Sequence, residues 1–481
     1  MTESGRSRRL AALLALALVV LACLPAPNGE PLATASGSLN LPTATATPTP
    51  RGSSAATPSL TQRPTPGTAI VAGAVDRSSL DVSATYDVDL DVTVDTGAMA
   101  VEAVIQARND SGAPIDRLEL NTIATRLGGL KVTGATVDGQ AVTVTIDDQT
   151  LLVPLGGILA DGASTTVRLG YTATLRPDLD GSNWLFSRAG GTLALYRWIP
   201  WVSRAVPFDR PNHGDPFVTP SSSRVTATVT TDVPMILASP AAVPVADGRT
   251  WSFEARDVRD VALVLAPDFE VAVGDAGDIA VRAFTRPGGL DGDRLVAQAV
   301  NALDEMADRL DIAYPWPAFT IVETTGGYGM ESPGLIWIPS GTESANIPYL
   351  VHHETAHQWF YGLVGTDQQA EPFADEAAAD LLARTVLGIL RDSRCDRAPL
   401  DRGITRYSQD CYYEVVYIQG GNLLDDLREA MGSDRFWPAI RDYLEANRFG
   451  LAGTRQLLDV LQAASPADLL PILRARFPSL Y

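Results

Sequence analysis

The sequence predicts a multidomain protein: an N-terminal all-β, sandwich-like domain over residues 76–275, then an α+β domain over 276–481 that ends in short helices. Three observations lead there. Short alternating runs rich in β-branched residues recur through the first part, as in Ala100-Val101-Glu102-Ala103-Val104-Ile105-Gln106 and Val142-Thr143-Val144-Thr145-Ile146. Turn signals such as Asn109-Asp110-Ser111-Gly112 and Asp138-Gly139 separate them, the spacing of a sandwich. Apolar residues then recur mostly at three and four (Leu295, Val296, Ala299, Leu303, Met306, Ala307, Leu310), which marks an amphipathic helix over 292–310. Strand-like Phe319–Glu323 and Leu335–Ile338 follow, and helical patterns lie near 420–431, 434–447 and 453–463. At 481 residues and 46% hydrophobic content, the chain has enough apolar material for such cores.

The first 23 residues read as an export signal. Arg6, Arg8 and Arg9 precede an apolar run from Leu10 to Ala22, too short to span a bilayer comfortably. The run closes on Val20-Leu21-Ala22-Cys23, which resembles a bacterial lipobox and makes Cys23 the expected lipidated N-terminus. The protein is then expected outside the cytoplasm, anchored by lipid at the bacterial cell surface; a plain cleaved signal, and hence secretion, is the alternative. Residues 24–75 are dominated by Pro, Thr, Ala, Ser and Gly with little to bury, the composition of a disordered tether. Net charge is −20 and the pI near 4.6. Such an acidic chain lacks the basic footprint for nucleic acid, and its membrane contact is expected only through the lipid.

In the β region, Trp198-Ile199-Pro200-Trp201 and Phe208-Asp209-Arg210-Pro211-Asn212 read as packing and loop, with a cleft-facing role as the alternative. His213 reads as a surface turn residue.

The chemistry concentrates in Val351-His352-His353-Glu354-Thr355-Ala356-His357-Gln358-Trp359. Three of the four histidines in the chain lie here. On a helix, His353 and His357 leave one face a turn apart, the separation at which two neutral imidazoles share one tetrahedral zinc. Glu354 suits a general base acting on water. His352 projects about 100° away and is expected to pack. Eighteen residues beyond His357, Glu376 lies in Glu371-Pro372-Phe373-Ala374-Asp375-Glu376-Ala377-Ala378-Ala379-Asp380, where Pro372 and the alanines favour a second helix. His353, His357 and Glu376 complete a set for one Zn2+ that leaves a position for water. Strands followed by two ligand-bearing helices is the order of a thermolysin-like domain. Asp380, one helical turn after Glu376, is the expected outer partner for the distal N–H of His353 or His357.

Together, His353-Glu354-x-x-His357, the eighteen-residue interval and Glu376 resemble the aminopeptidase N and leukotriene hydrolase family of gluzincin zinc peptidases. Gly327-Tyr328-Gly329-Met330-Glu331-Ser332 resembles the G-x-M-E-N segment of that family, with Tyr328 for its Gly and Ser332 for its Asn. Tyr412-Tyr413-Glu414-Val415-Val416-Tyr417-Ile418-Gln419-Gly420-Gly421 resembles its Y-x-K-G-A segment, with Gln419 and Gly421 for its Lys and Ala. The resemblance implies a zinc aminopeptidase acting on peptides with a free N-terminus, with an N-terminal β domain covering one side of the cleft. It implies that Glu331, flanked by Met330 and Gly329, receives the α-ammonium, and that Tyr417 stabilises the oxyanion, with Tyr412 and Tyr413 as nearby competitors. The chain reaches Tyr481 without the superhelical domain of many family members, so a more open cleft is expected. A zinc endopeptidase of the same clan and an inactive surface binding protein are the other readings.

Cys395 and Cys411 form an even pair once Cys23 is set aside, which in an exported chain predicts a disulfide. It would tie down the segment just before Tyr417.

Overall fold

The computed structural model describes residues 69–206, 215–241, 245–246 and 248–481. The export signal, Cys23 and most of the expected tether lie outside them, as do Phe208–Asn212 and His213.

Alternation in the first part produces long strands with one buried and one exposed face. Val82–Thr93 and Ala98–Asn109 pair antiparallel along twelve residues each. They lie inside an eight-stranded sheet in which Val225–Thr231 runs parallel to Val82–Thr93 and the other pairings are antiparallel. Their inward residues, among them Tyr86, Val88, Leu90, Val101 and Ile105, belong to a continuous apolar core. A second sheet is built on Thr150–Leu159 and Ile115–Asn121, and a third on Thr192–Leu195 and Leu263–Ala266. Trp198 and Trp201 are buried, and their indole N–H groups donate to the carbonyls of Val261 and Pro220, so this segment packs.

Three expectations need correction here. Ile70–Val71 is a strand paired with Ile158 and Leu159, and Asp116 accepts from the backbone N–H groups of Val75, Asp76 and Arg77. The β domain therefore captures the last residues assigned to the tether, through backbone hydrogen bonds that composition does not encode. Val142–Ile146 is not one strand: Gln140–Ala141 and Thr145–Asp147 join different sheets. Finally, Glu270–Ala276 pairs with Ile279–Thr285, so the five-stranded sheet of the second domain reaches back across the boundary expected at 275.

That sheet positions the site. Ile279–Thr285, Ala318–Thr324 and Leu335–Pro339 run parallel, with Gly292–Leu310 crossing between the first two. The helix starts at Asp291, whose side chain accepts from Arg294 N–H, and buries Leu295, Ala299, Leu303 and Met306. Met330–Ser332 turns back antiparallel on Leu335–Pro339 and forms the sheet edge facing the site. Helices Ile347–Ala356, Ala378–Leu387, Gly420–Met431, Ser433–Ala446, Thr454–Ala464 and Leu470–Arg476 complete the domain.

Candidate active site

Ile347–Ala356 begins with Pro348 in its first turn and ends as the chain reaches His357. It carries His353, Glu354 and His357 into a buried position, with the two imidazole rings 4.7 Å apart and nearly perpendicular. His352 points elsewhere: its Nδ1 meets the Pro348 carbonyl and its Nε2 the Asn301 Oδ1, so it packs as expected.

Glu376 arrives on a widened, π-helical turn, Phe373–Ala377, that leads into Ala378–Leu387. Its Oε2 lies 3.3 Å from His353 Nε2 and 3.4 Å from His357 Nε2, and the two Nε2 atoms are 3.2 Å apart. A tetrahedral ion with bonds of about 2.0–2.1 Å to such ligands requires donors about 3.3–3.4 Å apart. The triangle fits zinc. Charge balance agrees, because Glu331, Glu354, Asp375 and Glu376 are all buried beside the two imidazoles. Burial raises the Glu354 carboxyl well above its ordinary range. Burial also acts against ionised Glu376, but the hydrogen bonds of His353 and His357 outweigh it and hold that carboxyl low.

The expected role of Asp380 is not what the fold provides. Its carboxylate takes Arg384 at 2.7 Å, Arg391 and the Tyr349 hydroxyl. His357 Nδ1 instead bonds Asp375 Oδ1 at 2.7 Å. Asp375 lies within the widened turn, whereas Asp380 lies in the regular helix that follows and is taken up by Arg384, Arg391 and Tyr349. Asp380 still reaches the site indirectly, since the Tyr349 ring it holds stacks against His353 at 5.7 Å. His353 Nδ1 has no hydrogen-bond partner among the described residues.

Tyr417 also lies on a π-helical turn, Glu414–Gln419. Its ring stacks on His353 at 5.4 Å, and burial together with the nearby Glu376 raises the phenol well above its usual range, so it remains a donor. The Gly420–Gly421 pair makes this approach possible. A Cβ on Gly420 would come within 2.6 Å of the Ala377 Cβ, and one on Gly421 within 2.4 Å of Asp380 Oδ2. At Gly420 the missing side chain lets the Tyr417 segment pack directly on Ala377, next to Glu376. Tyr413 lines the same cavity beside Tyr417, whereas Tyr412 is buried behind it, edge-on to its ring.

Cys395 and Cys411 are joined, with Cα atoms 5.9 Å apart. The bridge closes two residues before Tyr413 and holds the chain between Arg391 and Tyr417. Arg391 lies over the Tyr349 ring at 4.4 Å and the Tyr413 ring at 5.4 Å.

Glu331 faces this cavity from the edge strand, beside Met330 and Gly329, and burial pushes its carboxyl up to about 7. Gln358, immediately after His357, pins that strand: its amide donates to the Ser332 carbonyl at 3.1 Å and accepts from Gly334 N–H at 2.9 Å. A Cβ on Gly329 would come within 2.1 Å of Glu354 Oε1, so the bare backbone there makes room for that carboxylate. The cavity is about 360 Å³, with Tyr328, Tyr349 and Leu350 among its walls.

Comparison with known proteins follows the same lines. No protein-family profile matches the chain. The M1 zinc metallopeptidase from Deinococcus radiodurans superposes with a TM-score of 0.65 over 82% of this chain and 93% of that one, at 19% identity. A glutamate-to-alanine mutant from the same organism, bound to a Tyr-Ser-Ala substrate, gives 0.65 over 85% and 96%, at 18% identity. The fold is that of the M1 zinc metallopeptidases. In sequence, rice (Oryza sativa subsp. japonica) Aminopeptidase M1-B is 24% identical over 220 residues, 38% of this chain and 25% of its own length. The alanine/arginine aminopeptidase of Saccharomyces cerevisiae is 25% identical over 264 residues, 46% of this chain and 30% of its own. The chain thus spans about a quarter to a third of these curated relatives. The M1 fold agrees with the gluzincin resemblance read from the motifs and with a β-rich domain preceding a thermolysin-like one.

Asp375, Gln358 and Tyr349 are the site residues that the sequence reading missed. The only signal for Asp375 was a carboxylate adjacent to the candidate ligand Glu376, and for Gln358 its place next to His357.

Proposed function

We propose that this chain is a zinc-dependent aminopeptidase that removes N-terminal residues from peptides, with one Zn2+ held by His353, His357 and Glu376. Bound zinc supplies Lewis-acid chemistry, polarising a carbonyl and acidifying water. Glu354, buried against the cavity, takes a proton from the attacking water and returns it to the leaving amine. Tyr417, kept protonated, donates to the developing oxyanion. Glu331 accepts from the α-ammonium of the substrate and registers the first peptide bond against the metal ligands.

The observation that carries this reading is the buried carboxylate of Glu331 facing the same cavity as the ligand triangle. A peptide lacking a free ammonium would leave that carboxylate buried without its partner, which disfavours capped substrates. The test offers one peptide with a free and with an acetylated N-terminus, with and without a chelator, and reads the products by mass spectrometry. Stepwise loss from the free peptide alone, abolished by chelation, is expected. Internal cuts in both peptides would overturn the reading in favour of an endopeptidase.

We further propose that the enzyme works outside the cytoplasm, tethered through a lipid at Cys23. The basic start, the short apolar run and the cysteine that closes it support this. Among the described residues no helix is long and apolar enough to cross a membrane. Metabolic labelling with a fatty acid should mark the wild-type protein and not Cys23→Ser; equal labelling would reject the anchor.

A further inference from the structure

We propose that Gln368 is a positioning residue that sets the amine anchor in register with the metal ligands, an inference that rests on the aminopeptidase reading. Gln368 lies between the two ligand-bearing segments and is buried. Its side-chain amide has one workable orientation. Oε1 accepts from the backbone N–H of Asp215, a group that can only donate, so the NH2 must point the other way. There one N–H reaches Glu331 Oε1 at 2.8 Å and the other reaches Asp375 Oδ2 at 2.5 Å. Asp375 uses its other oxygen to hold His357 Nδ1. One side chain therefore bridges the carboxylate that takes the substrate ammonium and the carboxylate that orients a metal ligand.

The bridge answers an electrostatic problem. Glu331, His357 and Asp375 converge closely enough to surround a cation, and two carboxylates so near each other repel unless something stands between them. The two N–H groups of Gln368 do so without adding charge. They engage one oxygen of each carboxylate and leave the second oxygen of Glu331 to the ammonium. The third bond, to the backbone of Asp215, ties the assembly to the β domain, where the Asp215 carboxylate accepts from Arg197 Nε at 3.0 Å. Substrate anchor, metal site and β domain are thus joined through one amide, and the distance from Glu331 to the ligand triangle depends on it.

Two replacements separate positioning from mere packing. Gln368→Met keeps the bulk and removes the donors, whereas Gln368→Glu keeps the shape and turns donors into acceptors. Each is assayed for kcat and KM on a free-amine dipeptide amide, for zinc affinity by chelator competition, and for thermal unfolding. Gln368→Met should raise KM about tenfold and weaken zinc retention several-fold, with kcat changing much less. Gln368→Glu should exceed it on both counts, because a third carboxylate joins the first two. A residue that only fills space would lower the unfolding temperature and leave KM and zinc affinity of the folded protein alone. That result in either variant overturns the proposal. Wild-type protein that cleaves free and capped peptides alike overturns the aminopeptidase reading itself, a failure seen before any variant is made.

Discussion

Asp375 and Glu376 are neighbours in the chain yet act on opposite sides of one imidazole. Asp375 Oδ1 holds His357 Nδ1 at 2.7 Å, while Glu376 Oε2 lies 3.4 Å from His357 Nε2. Both residues lie in the widened turn Phe373–Ala377, and the outer carboxylate favours the tautomer that leaves Nε2 free to bind metal. Asp375→Ala should therefore weaken zinc retention about 10–100-fold. Asp380→Ala, in contrast, should leave zinc affinity near that of the wild type and lower stability, because it strands Arg384 and Arg391. Chelator competition on the two purified variants distinguishes them, and the reverse order would contradict the assignment.

Glu354→Gln keeps the shape and removes the base. Loss of kcat by about 10²–10⁴ is expected, with the metal retained. Metal content measured beside turnover checks both halves.

Tyr417→Phe removes the proposed oxyanion donor without disturbing the stack on His353. A fall in kcat of about 10²–10³ with little change in KM is expected. Tyr412→Phe should have a far smaller effect, since that ring is buried behind Tyr417. Steady-state kinetics on the pair would decide between them.

Glu331 offers a pH test on chelator-stripped protein. Burial raises its carboxyl from 4.5 to about 7, so across that window the folded state binds more protons than the unfolded state. Stability should be highest below the window and fall as pH rises through about 7. Replacing the residue as Glu331→Gln should flatten this slope in thermal unfolding. An unchanged slope would mean that other groups carry it.

The Cys395–Cys411 bridge closes a loop of sequence separation 16. Cys395→Ser with Cys411→Ser should cost about 3 kcal/mol of stability. Loosening of the Tyr413 and Tyr417 segment should also lower kcat more than zinc affinity. Denaturant unfolding and kinetics on the double variant measure the two effects.

Much of this was legible without coordinates, because local patterns encode local geometry. The four-residue spacing of His353 and His357, the interval to Glu376 and the period of residues 292–310 each specify which side chains share a face. Helices near 420–431, 434–447 and 453–463 followed from the same periodicity. The glycine pair before which Tyr417 stands was visible as a motif, although its reason, close packing against Ala377 and Asp380, was not.

What only the tertiary structure decided lies where distant segments meet or the helical register slips. Asp375 and not Asp380 meets His357 Nδ1, while Asp380 is taken up by Arg384, Arg391 and Tyr349, partners that spacing along one helix does not record. The bridge from Asp215 through Gln368 to Glu331 joins residues more than a hundred positions apart, and no periodicity records such a hydrogen bond. The candidate ligand triangle was written in short-range spacing; the carboxylates and amides that surround it were chosen by the packing of strands and helices in three dimensions.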